Sequence, residues 1–278
     1  MVELEVGGRV VAEYVVAPTV DSRLSPRPYL HPVRTLTGVV VSDVLPDDHP
    51  HHLGVSVAVQ DVAKNNLWSG RTYVRDTGYT WLDDHGRIVH AGFEEQAADR
   101  LVQRLRWCDR TGATLLDERR QITATSVTGF DNAWVLGVAF VLGAPDGRDI
   151  ELGSPATNGR PGGSGYGGFF WRAPAGDVPP DVFTEAAEGE DLVNGSTEPW
   201  VAMTTQRYGL VLTGLGSGDH WFVRAADYPG VCAALAYERP LVVAAGSTVS
   251  RNHRVVVVDG RLDRAAAAKL AQQAQGHP

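Results

Sequence analysis

The chain has 278 residues, 43% hydrophobic and 21% charged, with a formal net charge of −8, a size and balance that mark a soluble globular protein able to bury a large core. The negative charge and scattered arginines make nucleic acid and anionic membranes poor partners, and the longest apolar run, Ala133 to Gly143, is about half of the roughly 20 residues a membrane-spanning helix needs. Only two of the 25 basic residues are lysines, Lys64 and Lys269, which disfavours Schiff-base chemistry.

The opening, MVELEVGGRVVAEYVV, carries acidic residues where a signal peptide needs a basic region, and no long apolar segment follows, so a cytoplasmic location is expected. From Val10 onward, short runs rich in Val, Thr and aromatics recur between Gly, Asp, Asn and Pro, from VVAEYVV and GVSVAVQDV to RLVQRLRWC and WVLGVAFVLG. About a dozen such strands with almost no helical period predict an all-β protein, a single large two-sheet sandwich over residues 1–278. No internal repeat is visible, which argues against a propeller or solenoid.

RPYLHPVR, Arg27 to Arg34, is held extended by two prolines, so that Arg27, Tyr29 and His31 share one face. A guanidinium, a phenol and an imidazole side by side suit a hydroxyl-rich or anionic ligand; a solvated edge strand is the alternative. LPDDHPHHLG, Leu45 to Gly54, follows, with three of the nine histidines in ten residues. Pro50 removes a ladder donor, so a turn is expected here. His49, His51 and His52 then serve acid/base chemistry or substrate contact, hold a metal with Asp47 or Asp48, or simply bond loop backbone. The glutamate of a cupin HxH pattern and the helical HExxH zinc pattern are both missing.

Cys108 and Cys232 sit inside apolar strand patterns, which predicts buried thiols rather than a disulfide. Residues 153–200 are crowded with Gly and Pro and show little strand pattern, so they are read as a long loop over the cleft. Its YGGFFWR core lacks the Lys-Ser/Thr of a phosphate loop. Tyr166 and Trp171 could instead form a sugar platform, with Arg172 bonding hydroxyl or carboxylate groups.

In GSGDHWFVRAADYPG, Asp219 and His220 open a strand directly after a turn, a rigid place for an acid/base pair; a turn-capping Asp beside an exposed His is the alternative. Glu238 in ALAYERP is a third carboxylate of the same late region. No G-x-S-x-G elbow supports a serine hydrolase. At the end, Asp263 caps a predicted helix, RAAAAKLAQQAQ, with Leu262, Ala266 and Leu270 on one face.

RPYLHPVRTLTGVVVSD, DDHPHHLGVSVAVQDV, NNLWSGRTYV, GRIVH and the late YPGVCAALAYERPLVVAAGSTVSRNHRVVVVDG together resemble the bacterial PmoA-like family of unknown function, over roughly Pro26 to Asp259. Many of its members carry the name methane oxygenase PmoA, which belongs to a membrane protein and implies no such activity for a chain without a long apolar span. The family usually has arginine or serine after H-P-H-H, where this chain has Leu53. The ending LVVAAGSTVSRNHRVVV is similar, at the level of fold, to the close of a galactose-mutarotase-type supersandwich, with Ala245 and Ser247 where that pattern has proline and glutamate. That likeness implies a sugar-sized cleft on a concave sheet, where a histidine and a carboxylate share acid/base work.

The expectation is therefore an all-β supersandwich with a short C-terminal helix, acting on a sugar or keto-sugar as an epimerase, lyase or hydrolase. His49, His51, His52, Asp219 and His220 are the expected catalytic residues, and Arg27, Tyr29, His31, Tyr166, Trp171 and Arg172 the expected substrate contacts. No cofactor is assigned and no metal ligand set, a divalent ion on His49, His51 and an aspartate being the alternative chemistry. The partner is a small carbohydrate-like molecule, with neither nucleic acid nor membrane. A sugar-binding module without turnover is the non-enzymatic alternative.

Overall fold

The structure, a computed structural model, describes residues 1–276. Two antiparallel sheets form its body. The seven-stranded sheet runs Val2–Val6, Arg9–Val15, Tyr29–Val33, Val55–Ala58, Gly168–Arg172, Gly230–Ala234 and His220–Arg224. The eight-stranded sheet runs Asp181–Phe183, Trp200–Thr204, Tyr208–Thr213, Thr248–Asp259, Phe130–Gly143, Thr114–Val127, Arg100–Cys108 and Arg87–Gln96. All-β architecture follows from the period-two patterning of these runs. In Thr114–Val127, for example, Leu116, Glu118, Arg120, Ile122 and Ala124 are buried, while the positions between are more open.

One continuous hydrophobic cluster joins the inner faces of both sheets, with Leu30, Val57, Phe169, Trp171, Trp221 and Val231 from the first and Leu105, Trp107, Trp134, Leu136, Val255 and Val257 from the second. Within it lies a buried polar network. Arg120 donates to both oxygens of Glu118 at 2.6 and 2.9 Å, Trp107 Nε1 donates to the same carboxylate at 2.6 Å, and Gln103 and Arg120 both donate to the Tyr14 hydroxyl. A buried ion pair is tolerated when its lone pairs and protons are taken up in this way.

The helix Arg264–Gly276 is capped by Asp263, whose Oδ1 accepts from Ala266 N at 2.7 Å. Its Ala267, Leu270, Ala271 and Ala274 cover Val211, Val256, Val258 and Trp200 on the outer face of the eight-stranded sheet. That cover explains why Trp200–Thr204 and Tyr208–Thr213 are buried on both faces and show no alternation. Cys108 and Cys232 are free and buried. Among the described residues no helix is long and apolar enough to cross a membrane.

Residues 153–200 are not one long loop over the cleft, as their Gly and Pro content suggested. They hold a central strand of the seven-stranded sheet, Gly168–Arg172, an edge strand of the other sheet, Asp181–Phe183, and a short helix, Glu190–Val193. The glycines serve close approach: a Cβ on Gly168, at φ +147°, would run into the carbonyl oxygen of Ala233, and one on Gly165 into Tyr237. Because the strand is covered on both faces, Phe169 and Trp171 point into the sandwich and Phe170 outward, with no polar position to mark a period.

Candidate functional site

The outer face of the seven-stranded sheet carries a second, smaller apolar cluster: Ala58, Phe170, Phe222, Cys232 and Ala234 under Trp68, with Tyr166, Tyr228 and Tyr237 packed on it. Above this floor opens a cleft of about 710 Å³. Four chain segments supply most of its walls: the histidine turn, the stretch from Trp68 through the hairpin Thr72–Val74/Gly78–Thr80 to Trp81, the segment that carries Arg160 and Tyr166, and the strand His220–Arg224 with the turn after it.

The histidine turn is a double one. His49 N donates to Pro46 O at 3.0 Å and His52 N to His49 O at 2.9 Å, and Gly54 then passes so close to Leu30 that a side chain there would strike its carbonyl oxygen. These turns gather the three imidazoles: ring centroids are 4.7 Å apart for His49 and His52, 4.8 Å for His51 and His52, and 5.5 Å for His49 and His51. His52 is only 2% exposed and packs against Phe170, Tyr228 and Trp68. His49 lies against Tyr228 at 4.4 Å.

Buried guanidinium groups hold the turn from behind. Arg27, fully buried, donates from Nε to Ser56 Oγ, from Nη1 to the carbonyls of Ser25 and Trp68, and from Nη2 to that of His51. It makes no ion pair among the described residues, and burial pulls its pKa down to about 9, with the charge of Arg120 adding to the effect. Arg172 is also buried; Nη2 donates to both Asp48 oxygens at 2.8 and 2.9 Å, and its guanidinium lies 5.0 Å from the centre of the Tyr228 ring.

Asp48 reaches back to His49, with 2.8 Å between Oδ2 and the His49 Nδ1. Partial burial would raise its pKa, but hydrogen bonds from His49 and Arg172 outweigh that and hold it below the usual carboxylate range. An ionised carboxylate only accepts, so Nδ1 is the protonated nitrogen and Nε2 is left as the ring's acceptor. Burial, then the charges of His49 and Arg27, push His51 down to about 3. Burial, reinforced by His51, His49 and the two arginines, puts His52 well below its ordinary value. Both are neutral imidazoles near pH 7.

On another wall, Tyr79 and Tyr166 share a hydrogen bond of 2.9 Å between their hydroxyls, and Arg160 donates to the Tyr79 hydroxyl with its guanidinium 4.8 Å from that ring's centre. Buried Asn66 shapes the approach to the hairpin, its Oδ1 accepting from the backbone of Trp68 and Ser69. Trp81, 53% exposed, stands at the rim. Arg71 and Arg224 also line the cleft.

The structure thus brings His49, His51, His52 and Tyr166 together in one cleft, with Arg27 and Arg172 directly behind its wall. It does not bring Asp219 there. Asp219 is 2% exposed, paired with Arg251 at 2.5 and 2.8 Å, and borders a separate depression with Thr197 and Gly214. His220 stacks on Tyr237 at 4.8 Å, 3.8 Å from Glu238, and does not line the cleft. Trp171 is 1% exposed between the sheets, its Nε1 donating to Val41 O, and cannot be a platform. Tyr29 and His31 also stand apart, His31 bonding Ser42 Oγ at 3.0 Å. Among the described residues no three His, Cys, Asp or Glu side chains converge on a position for a metal ion. The rings of His49 and His52 are stacked, 12° from parallel.

Residues that sequence reasoning missed are Trp68, Arg71, Tyr79, Trp81, Arg160, Arg224 and Tyr228. Trp68 and Arg71 in NNLWSGRTYV and Tyr228 in YPGVCAALAYERP gave a signal as part of the resemblance rather than as chemistry.

The chain belongs to a family of unknown function, DUF6807, whose model matches residues 1–272. No curated protein matches it in sequence. Among solved structures it is similar to the α-galactosidase from Lactobacillus brevis, at 11% identity and a TM-score of 0.39, over 79% of this chain and 33% of that one. It is also similar to a putative aldose 1-epimerase from Escherichia coli K12, at 10% identity and a TM-score of 0.35, over 68% and 74%. A third is the heparan sulfate lyase HepC from Pedobacter heparinus, at 10% identity and a TM-score of 0.32, over 64% and 22%. The chain spans about a third of the galactosidase's length, and likenesses this remote say nothing about its reaction.

Proposed function

We propose that this member of DUF6807 is a carbohydrate-active enzyme whose cleft moves protons at a sugar or keto-sugar, with His49 as general base. The observation that carries the reading is the Arg172–Asp48–His49 chain at the wall of the cleft. A carboxylate fixed by a buried guanidinium orients the imidazole, sets its tautomer and stabilises the imidazolium that forms when Nε2 takes a proton. His51 and His52, kept neutral beside it, accept or donate hydrogen bonds without adding charge. The hydrogen-bonded pair Tyr79 and Tyr166, with Arg160 on the Tyr79 hydroxyl, is the complementary acid, in place of Asp219 and His220. Trp81 at the rim, and not the buried Trp171, is the platform. The PmoA-like likeness supplies no activity to this reading.

The test is incubation with a panel of sugars and keto-sugars in deuterated water, followed by proton NMR. Loss of a substrate carbon-bound proton signal, or epimer or elimination product, absent with His49→Ala, is the expected result. Saturable binding with the ligand unchanged in every case points to a binding module instead. Elemental analysis of the same sample separates the metal-dependent alternative, which requires the imidazoles to turn toward a common point.

A further inference from the structure

The cleft is rich in guanidinium groups in a chain whose net charge is −8. Arg71, Arg160 and Arg224 line it, and Arg27 and Arg172 lie just behind its wall. The carboxylates against them are Asp48, spent on Arg172, Glu190, 3.6 Å from Arg224, and the exposed Asp227. Arg71 and Arg160 make no ion pair among the described residues. Arg160 is fixed in place by the face of Tyr79 and the bond to its hydroxyl, which leaves the other edge of a rigid, planar fork for a ligand. Arg172 keeps two buried nitrogens, Nε and Nη1, without hydrogen-bond partners among the described residues.

We propose that the ligand of this cleft is a sugar acid and that Arg71 and Arg160 receive its carboxylate. The proposal rests on the proton-transfer reading of the same site and names its substrate class. A carboxylate matches the guanidinium fork in geometry and supplies the charge the cleft lacks. It also fits the chemistry. When a C–H bond next to a carboxylate breaks, the proton passes to His49 Nε2 and the electron pair moves into the bond toward the carboxylate carbon. The resulting enediolate carries its charge on the two oxygens that the arginines hold. Return of a proton to the opposite face gives the epimer, and departure of a substituent from the next carbon, protonated as it leaves, gives the unsaturated acid.

The test is equilibrium binding, followed by tryptophan fluorescence and calorimetry, of glucuronate and galacturonate against glucose, galactose and glucose 6-phosphate. Wild-type chain is compared with the Arg71→Gln, Arg160→Gln double variant. Expected are at least roughly tenfold tighter binding of a uronate than of its neutral parent, a preference that shrinks with added salt, and its loss in the double variant. Equal binding of acid and parent, no binding of either uronate, preference for the phosphate, or a preference that survives in the double variant each overturns it. Arg71 is exposed and Arg160 partly so, and a matching thermal midpoint confirms that the variant is folded. Uronate preference without deuterium uptake sinks the proton-transfer reading and leaves the carboxylate site standing; uptake into neutral sugars without that preference does the reverse.

Discussion

Asp48 and His49 are adjacent in the chain and also bonded to each other, the carboxylate bridging the His49 imidazole at 2.8 Å and the buried Arg172 at 2.8 and 2.9 Å. Adjacent residues on a strand point to opposite faces; the double turn from Pro46 to His52 is what lets these two meet. Asp48→Asn keeps the shape but removes the charge that orients the ring and stabilises its protonated form. Solvent-exchange activity should fall by roughly 10²–10⁴-fold, with KM changed much less. The Asp48→Asn, His49→Ala double variant should be no slower than His49→Ala alone, because the two act as a unit. Multiplying losses in steady-state rates would show that Asp48 serves only to neutralise Arg172.

Stability should fall as the solution is acidified from about pH 6.5 toward pH 4. Burial, with neighbouring cations adding to it, pushes His51 down to about 3 and His52 well below its usual value, and burial pushes His253 to about 4 against the opposing charge of Asp219. The folded state therefore refuses protons that the unfolded chain, with imidazoles near 6.5, accepts. Since stability rises with pH where the unfolded state binds more protons, the contribution is complete above about pH 6.5 and is lost as pH falls through the window. Each imidazole adds at most about 1.4 kcal/mol per pH unit. Urea midpoints measured across this range should give a slope that His51→Gln and His253→Gln each flatten; unchanged slopes would mean that these histidines are protonated in the fold.

Breaking the buried Glu118–Arg120 pair should cost stability. Glu118→Gln leaves a buried guanidinium without its carboxylate and should destabilise by about 3–5 kcal/mol. Glu118→Leu with Arg120→Met, which removes both charges, should cost less than the single change. Denaturant titration of the three proteins decides this. A single variant as stable as the parent would mean that water already reaches the pair.

Much of this fold is legible from pattern alone. Thr114–Val127 alternates because one face meets the core, and Asp263 with the alanines after it reads as a capped helix with one apolar side. Strand Gly168–Arg172 is hidden because both its faces are covered and glycines flank it, so that GGFFWR has neither a period nor the look of a strand. The histidine turn announces itself by composition. Asp219 misleads for a physical reason: its partner Arg251 lies 32 residues away, and nothing local shows that the carboxylate is already spent. Arg160, Tyr79 and Trp81 meet the histidines only through tertiary packing, and no spacing in the sequence encodes that meeting.

Trp81 gives the sharpest separation of binding from folding. A tryptophan 53% exposed at the rim of a cleft leaves little burial to lose, so Trp81→Ala should leave the thermal midpoint nearly unchanged. Its ring face suits the apolar face of a sugar ring, and removing it should weaken sugar binding by roughly tenfold, the scale of one aromatic contact of about 1–1.5 kcal/mol. Trp81→Phe should recover part of that loss, since a smaller ring keeps the stacking geometry. The loss should appear for neutral and acidic sugars alike, because stacking does not read charge, whereas the Arg71 and Arg160 substitutions should affect the acids alone. If Trp81→Ala lowers the melting point by several degrees while binding persists, the indole is a packing element of the hairpin Thr72–Val74/Gly78–Thr80 and the platform must be sought in the ring of Tyr228.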